Sequence, residues 1–232
     1  MKYLITLFTG LFLSPLFLYA QEDQEVVVVD SLYREDQIYI GLTYNVLANK
    51  PQGVDNRDFS GGVHFGVLRD MPINKRRNIA VAAGLGYAFN SYGHNLFVGK
   101  AESGEGVFIV LNEDYTYNKN RFITHELEIP VELRWRTSKP ETYRFWRVYG
   151  GLKFSYLFHF TSVFGQAGNT IRNSDIEELN RLRYTTFLNF GYNTFNFQVQ
   201  YNLNGFFNDD ARIDSVPVDM STIKLGLIFY IL

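Results

Sequence analysis

Between residues 37 and 231 apolar and polar side chains alternate with a period of two, which belongs to strands with one apolar face. The first predicted strand covers residues 37–47. Ile38, Ile40, Leu42, Tyr44 and Val46 share one face, and Tyr39, Gly41, Thr43 and Asn45 the other. A second strand, 59–68, sets Val63, Phe65 and Val67 against Gly62, His64 and Gly66. The third, 78–89, pairs Ile79, Val81, Leu85, Tyr87 and Phe89 with a row of Ala80, Ala82, Gly84, Gly86 and Ala88. The fourth, 122–136, has Leu127, Ile129, Val131, Leu133 and Trp135 opposite Glu126, Glu128, Glu132, Arg134 and Arg136. Four more follow at 144–162, 183–192, 195–203 and 221–232.

The connections alternate in length. Short ones fall at 69–77, 137–143 and Asn193, and long ones at 48–58, 90–121, 163–182 and 205–220. Within 163–182, residues 175–179 predict one helical turn. Short turns at one end and long loops at the other are the plan of an up-and-down barrel in an outer membrane. The amino terminus agrees. Met1-Lys2, an apolar run to Phe17 and Leu18-Tyr19-Ala20 form the three parts of a secretory signal peptide, with cleavage expected after Ala20. Residues 21–35 are read as a periplasmic tail and 36–232 as the barrel. The expected fold is therefore all-β, an eight-stranded antiparallel transmembrane β-barrel.

Periodicity shows two faces but does not say which one meets lipid. Composition decides. The non-apolar faces of the third and seventh strands carry rows of Ala and Gly and of Asn and Gln, and that of the fourth carries three Glu and two Arg. Small residues make a poor soluble exterior and a good lining for a narrow barrel, where they leave room for long side chains from across the lumen. Aromatic residues reach 17%, with 21 Phe, 16 Tyr and 2 Trp, which suits girdles at two membrane interfaces. Trp135 and Trp146 are expected side by side in the periplasmic girdle. The lumen is expected to hold a charge network of Glu126, Glu128, Glu132, Arg134, Arg136, Arg147 and Lys153, serving barrel stability. A simple register puts Glu128 opposite Lys153 and Glu132 beside Arg147, with Pro130 making a bulge against Gly151.

Net charge is only −2, so nothing points to a nucleic-acid partner. There are no cysteines, which removes disulfides, thiolate metal sites and a lipidated cysteine. No zinc spacing, phosphate-cradling loop or nucleophile elbow occurs. Catalytic, metal and cofactor-binding residues are accordingly expected to be none. His125 is expected on the lipid face near the outer rim, where a lipid-modifying enzyme would place a catalytic histidine. Asn208-Asp209-Asp210 with Asp214 reads as a solvated acidic loop, and Lys75-Arg76-Arg77 as a basic periplasmic turn. The last strand carries Lys224, Gly226, Phe229 and Ile231 in the polar–Gly–aromatic–hydrophobic spacing of a barrel-assembly signal.

The stretch Leu127-Glu128-Ile129-Pro130-Val131-Glu132-Leu133-Arg134-Trp135-Arg136-Thr137-Ser138, followed by Phe145-Trp146-Arg147-Val148-Tyr149-Gly150-Gly151, resembles the PorT (SprT) family of Bacteroidota outer-membrane barrels. The match covers about a tenth of the chain. The resemblance implies a non-enzymatic accessory or assembly component of type IX protein secretion, and of gliding where that occurs. Its implied partners are outer-membrane lipid, the barrel-assembly machinery during insertion and other type IX secretion proteins. The other readings are a lipid-modifying enzyme built on His125 and a small adhesin or narrow porin-like barrel.

Overall fold

The computed structural model describes residues 36–137 and 145–231. The predicted signal peptide and tail, the turn at 138–144 and the last residue lie outside these. Strands β1 (Gln37–Ala48), β2 (Gly61–Pro72) and β3 (Ile79–Gly93) come first. A small hairpin follows, β4 (Leu96–Lys100) and β5 (Gly106–Val110). β6 (Lys119–Arg136) and β7 (Trp146–Gln166) are the longest strands, and β8 (Asn169–Ser174) folds back on the end of β7. β9 (Leu182–Tyr192) and β10 (Phe195–Asn202) precede a short hairpin, β11 (Arg212–Ile213) with β12 (Val216–Pro217), and β13 (Ser221–Ile231) is the last strand.

Eight of these strands close into a ring. The order is β6-β3-β2-β1-β13-β10-β9-β7, and β7 pairs back to β6. Every neighbouring pair is antiparallel, and the first strand joins the last from Ile38↔Ile231 to Ala48↔Ser221. Closure leaves the ring without a bare edge, as lipid demands of a strand structure.

The faces fall as alternation requires, with apolar outside. On β6 Leu133 is 59% exposed while Arg134 beside it is 0%. A water-soluble barrel would reverse this, so the outer face is a lipid face. The small residues of β3 line the inside. A Cβ on Gly86 would lie 2.0 Å from the Tyr39 hydroxyl, and one on Gly41 would lie 2.0 Å from His64 Nε2. A side chain at either position would have to displace a large residue that fills the lumen there, Tyr39 reaching over β2 to Gly86 and His64 from the neighbouring strand to Gly41.

Three expectations need correction. The β6–β7 register is shifted by two residues: Glu128 faces Ser155, Trp135 faces Val148 and Arg136 faces Arg147. A slip of two keeps every side chain on its face, so the alternation could not detect it. The bulge lies at His125/Glu126, and Pro130 pairs in register with Lys153. Pro130 instead interrupts the other seam, where the β3–β6 ladder skips from Ala83↔Val131 to Gly86↔Glu128. A proline has no N–H to give β3 there. Residues 175–179 make a turn and an isolated bridge with Phe207, with no helix, because β7 and β8 extend as a hairpin into the predicted loop.

Candidate functional site

The periplasmic half of the lumen is filled by an ion cluster. Arg136 grips Asp70 through both nitrogens, Nη1 to Oδ1 at 3.0 Å and Nη2 to Oδ2 at 2.9 Å. Arg134 Nη1 reaches the same carboxylate at 3.0 Å, and its Nε donates to Glu132 at 2.9 Å. Arg134 also lies 4.9 Å over the Tyr149 ring. The side chains of Asp70, Arg134 and Arg136 are 0% exposed. Fork-on-carboxylate pairing is the geometry that makes such burial tolerable. Asp70 lies two residues beyond Leu68, where the predicted second strand ends. Continuing the alternation through His64, Gly66 and Leu68 would have placed Asp70 inside. Glu132 therefore pairs with Arg134. Arg147, expected beside it, stacks 4.3 Å from Phe145 and donates to the Asn193 carbonyl.

A polar lattice runs from the level of the ion cluster, where Tyr230 packs on Tyr149, toward the outer end of the lumen. Lys153 meets Glu128 at 3.1 Å, although the two are not directly opposite. Lys224 donates to Asn90 at 3.0 Å, and Thr124 donates to Glu126 at 3.0 Å. Gln200 donates to Gln198, Gln198 to Asn189, and Asn189 to the Tyr230 hydroxyl, at 2.6, 2.8 and 2.8 Å. The Lys224–Asn90 and Asn189–Tyr230 bonds pass over intervening strands and so tie β13 to β3 and to β9 across the lumen. The residues of the C-terminal signal divide: Lys224 is buried in the lumen, while Ile231 is half exposed to lipid. β13 is hydrogen-bonded on both sides, so its edge is open to another sheet only before the ring closes.

Above the lattice the long loops fold into an apolar cap. Phe206 lies 4.8 Å from Phe122 and 5.1 Å from Tyr92, with Leu96, Val98, Ile176, Val218 and Met220 in the same cluster. Arg183 stacks 3.9 Å over Phe206 and donates to the Gly205 carbonyl at 2.8 Å. Gly106 donates to both oxygens of Glu178 at 2.8 and 2.9 Å, tying the β4–β5 hairpin to the β8–β9 connection. His94 is fully buried here. Its Nδ1 accepts the Leu96 N–H at 3.1 Å, and burial pushes its pKa down to about 3. On its outer surface the cap exposes Ile109, Tyr115, Ile171 and Val216.

His125 faces outward, with Nδ1 2.6 Å from the Tyr87 hydroxyl and its ring 5.4 Å from His159. Phe89 and Phe158 flank it. Among the described residues none of its contacts is a carboxylate. Trp135 and Trp146 both face outward at the periplasmic end, and Trp146 packs on Tyr192 at 5.4 Å. Asn208 accepts the Asp210 N–H at 3.0 Å in a local turn. No cluster of three or more His, Cys, Asp or Glu able to hold a metal occurs among the described residues. In the basic turn the Arg77 carbonyl accepts Arg136 Nε at 3.1 Å.

Residues 19–208 match a family model described as "Outer membrane protein beta-barrel domain". No curated protein shows significant sequence similarity. Among solved structures, Ail, the attachment invasion locus protein of Yersinia pestis, in complex with the heparin analogue sucrose octasulfate, is 14% identical. That likeness covers 86% of this chain and 100% of Ail, with a TM-score of 0.40. Ail in a phospholipid bilayer nanodisc gives 14% identity, 85% and 100% coverage, and a TM-score of 0.34. A triple-mutant porin of Rhodopseudomonas blastica gives 7%, 86% and 100%, and 0.22.

Proposed function

This chain belongs to the outer membrane protein beta-barrel domain family and resides in the bacterial outer membrane, and from that premise we propose that it is a non-enzymatic accessory of type IX protein secretion. The observation that carries this reading is the filled lumen. A barrel crossed by Asp70, Arg134, Arg136, Glu128 and Lys153 offers no aqueous path for a solute or an unfolded chain, so its work lies on its surfaces. The PorT-like motif supports the same reading. Its alternating Arg134, Trp135 and Arg136 supply two members of the inner ion cluster and one of the lipid-facing aromatic belt. The partners are other secretion proteins, met through the cap, the periplasmic turns or the tail. The test is deletion of the gene followed by analysis of secreted type IX cargo. Cargo should accumulate inside the cell and return with the wild-type gene; secretion at the normal level in the deletion strain rejects the role.

An adhesin-like role is the second reading, favoured by the apolar side chains that the folded cap turns outward. Replacing Ile109 and Val216 with Ser should then lower cell attachment while leaving cargo secretion unchanged.

A further inference from the structure

The lipid face is not uniform at its outer end. Across β1, β2, β3 and β6 a row of facing residues runs Leu42↔Val63, Val63↔Phe89 and Phe89↔His125. In the row above, Gly61 stands between Tyr44 and Ser91 and contributes no side chain. The result is an outward groove of about 370 Å³, lined by Leu42, Phe59, Val63, Phe89, Ser91 and Arg121. The Phe59 ring lies over Gly61, 2.8 Å from where a Cβ would stand, and Phe59 is 74% exposed.

Arg121 closes the outer end of this groove. It lies on the same face of β6 as His125 and Leu127 and is half-buried. Among the described residues its buried Nε has no hydrogen-bond partner, and Nη1 makes one long bond of 3.4 Å to the Ser91 hydroxyl. A guanidinium is always charged and presents a planar fork of donors, so most of its capacity is unspent.

The height of Arg121 identifies what could use that capacity. A strand tilted by about 40° gains about 2.5 Å of height per residue. The fourteen residues from Trp135 to Arg121 on β6 therefore climb about 35 Å, beyond the apolar band of about 25 Å and into the outer headgroup layer. An apolar trough below a guanidinium with unspent donors at that level has the shape and charge of one ligand class, a phosphate-bearing lipid.

We propose that this groove binds an outer-leaflet lipid, with an acyl chain along Leu42, Val63 and Phe89 and its phosphate on the Arg121 fork. The aliphatic part supplies affinity through burial and the fork supplies selectivity for the anion. The site adds a defined lipid contact to a barrel whose lumen is filled.

The test uses the full chain purified in detergent and native mass spectrometry, with diphosphoryl lipid A as probe. The wild type should retain one lipid per barrel. Arg121→Gln should weaken retention about tenfold or more. Ser91→Leu, which fills the groove on the lipid face without touching the lumen, should weaken it as well. Heat-dependent gel mobility verifies that both variants are folded barrels. Dephosphorylated lipid A should bind far more weakly. Equal retention by Arg121→Gln, equal binding of the dephosphorylated lipid, or displacement of the lipid by millimolar inorganic phosphate would each overturn the proposal.

Discussion

At the scale of single residues, Asp70 carries more than its position in the sequence suggests. Two guanidiniums depend on one carboxylate that is wholly buried. Asp70→Asn keeps the shape and removes the counter-charge. Breaking a buried pair by losing one partner costs about 3–5 kcal/mol. The variant should unfold at a clearly lower urea concentration in lipid vesicles, and an unchanged midpoint would show that Glu132 alone suffices. His94 gives a pH dependence. Its folded pKa of about 3 lies below the ordinary value of 6.5, so between these limits the open cap binds a proton that the closed cap refuses. Cap stability should be full above pH 6.5, fall as pH drops toward 3, and level off below that. Amide protection at Leu96, whose N–H bonds to His94, reads this directly. His94→Asn should flatten the profile across that window.

At the scale of elements, the eight barrel strands were legible to within a few residues, because lipid on one side and polar packing on the other enforce strict alternation. β4, β5 and β8 were not. Their side chains meet other loops, so no single solvent imposes a period on them. The β6–β7 register escaped because a slip of two residues preserves both faces. The cap that these loops build packs on the outer ends of β3, β6, β7 and β9. Phe206→Ala removes a ring packed against Phe122, Tyr92 and Arg183, at a cost of about 3–5 kcal/mol to the cap. Limited proteolysis should then cut the long connections readily while the barrel keeps its heat-dependent mobility. Loss of the folded barrel band as well would mean that cap and barrel are one cooperative unit.

At the scale of the whole molecule, ring closure and lumen filling define what the barrel can do. Planar bilayers holding the wild type should show little or no steady conductance, and large open channels would contradict the filled lumen. The lipid groove belongs to this scale too, since four strands contribute to it and no short segment contains it. The amino-acid sequence by itself determined the strand number, the lipid face and the polar lumen, because a period of two between two unlike solvents is a local property that each strand expresses alone. Most of the lumen residues were legible for the same reason. Only the tertiary structure decided which charges meet, that Asp70 joins Arg134 and Arg136, that the loops fold into an apolar cap, and that Arg121 stands over an open groove. Those depend on register, ring closure and the packing of segments far apart in the chain, and the free energy of each contact exists only once the other partner has arrived.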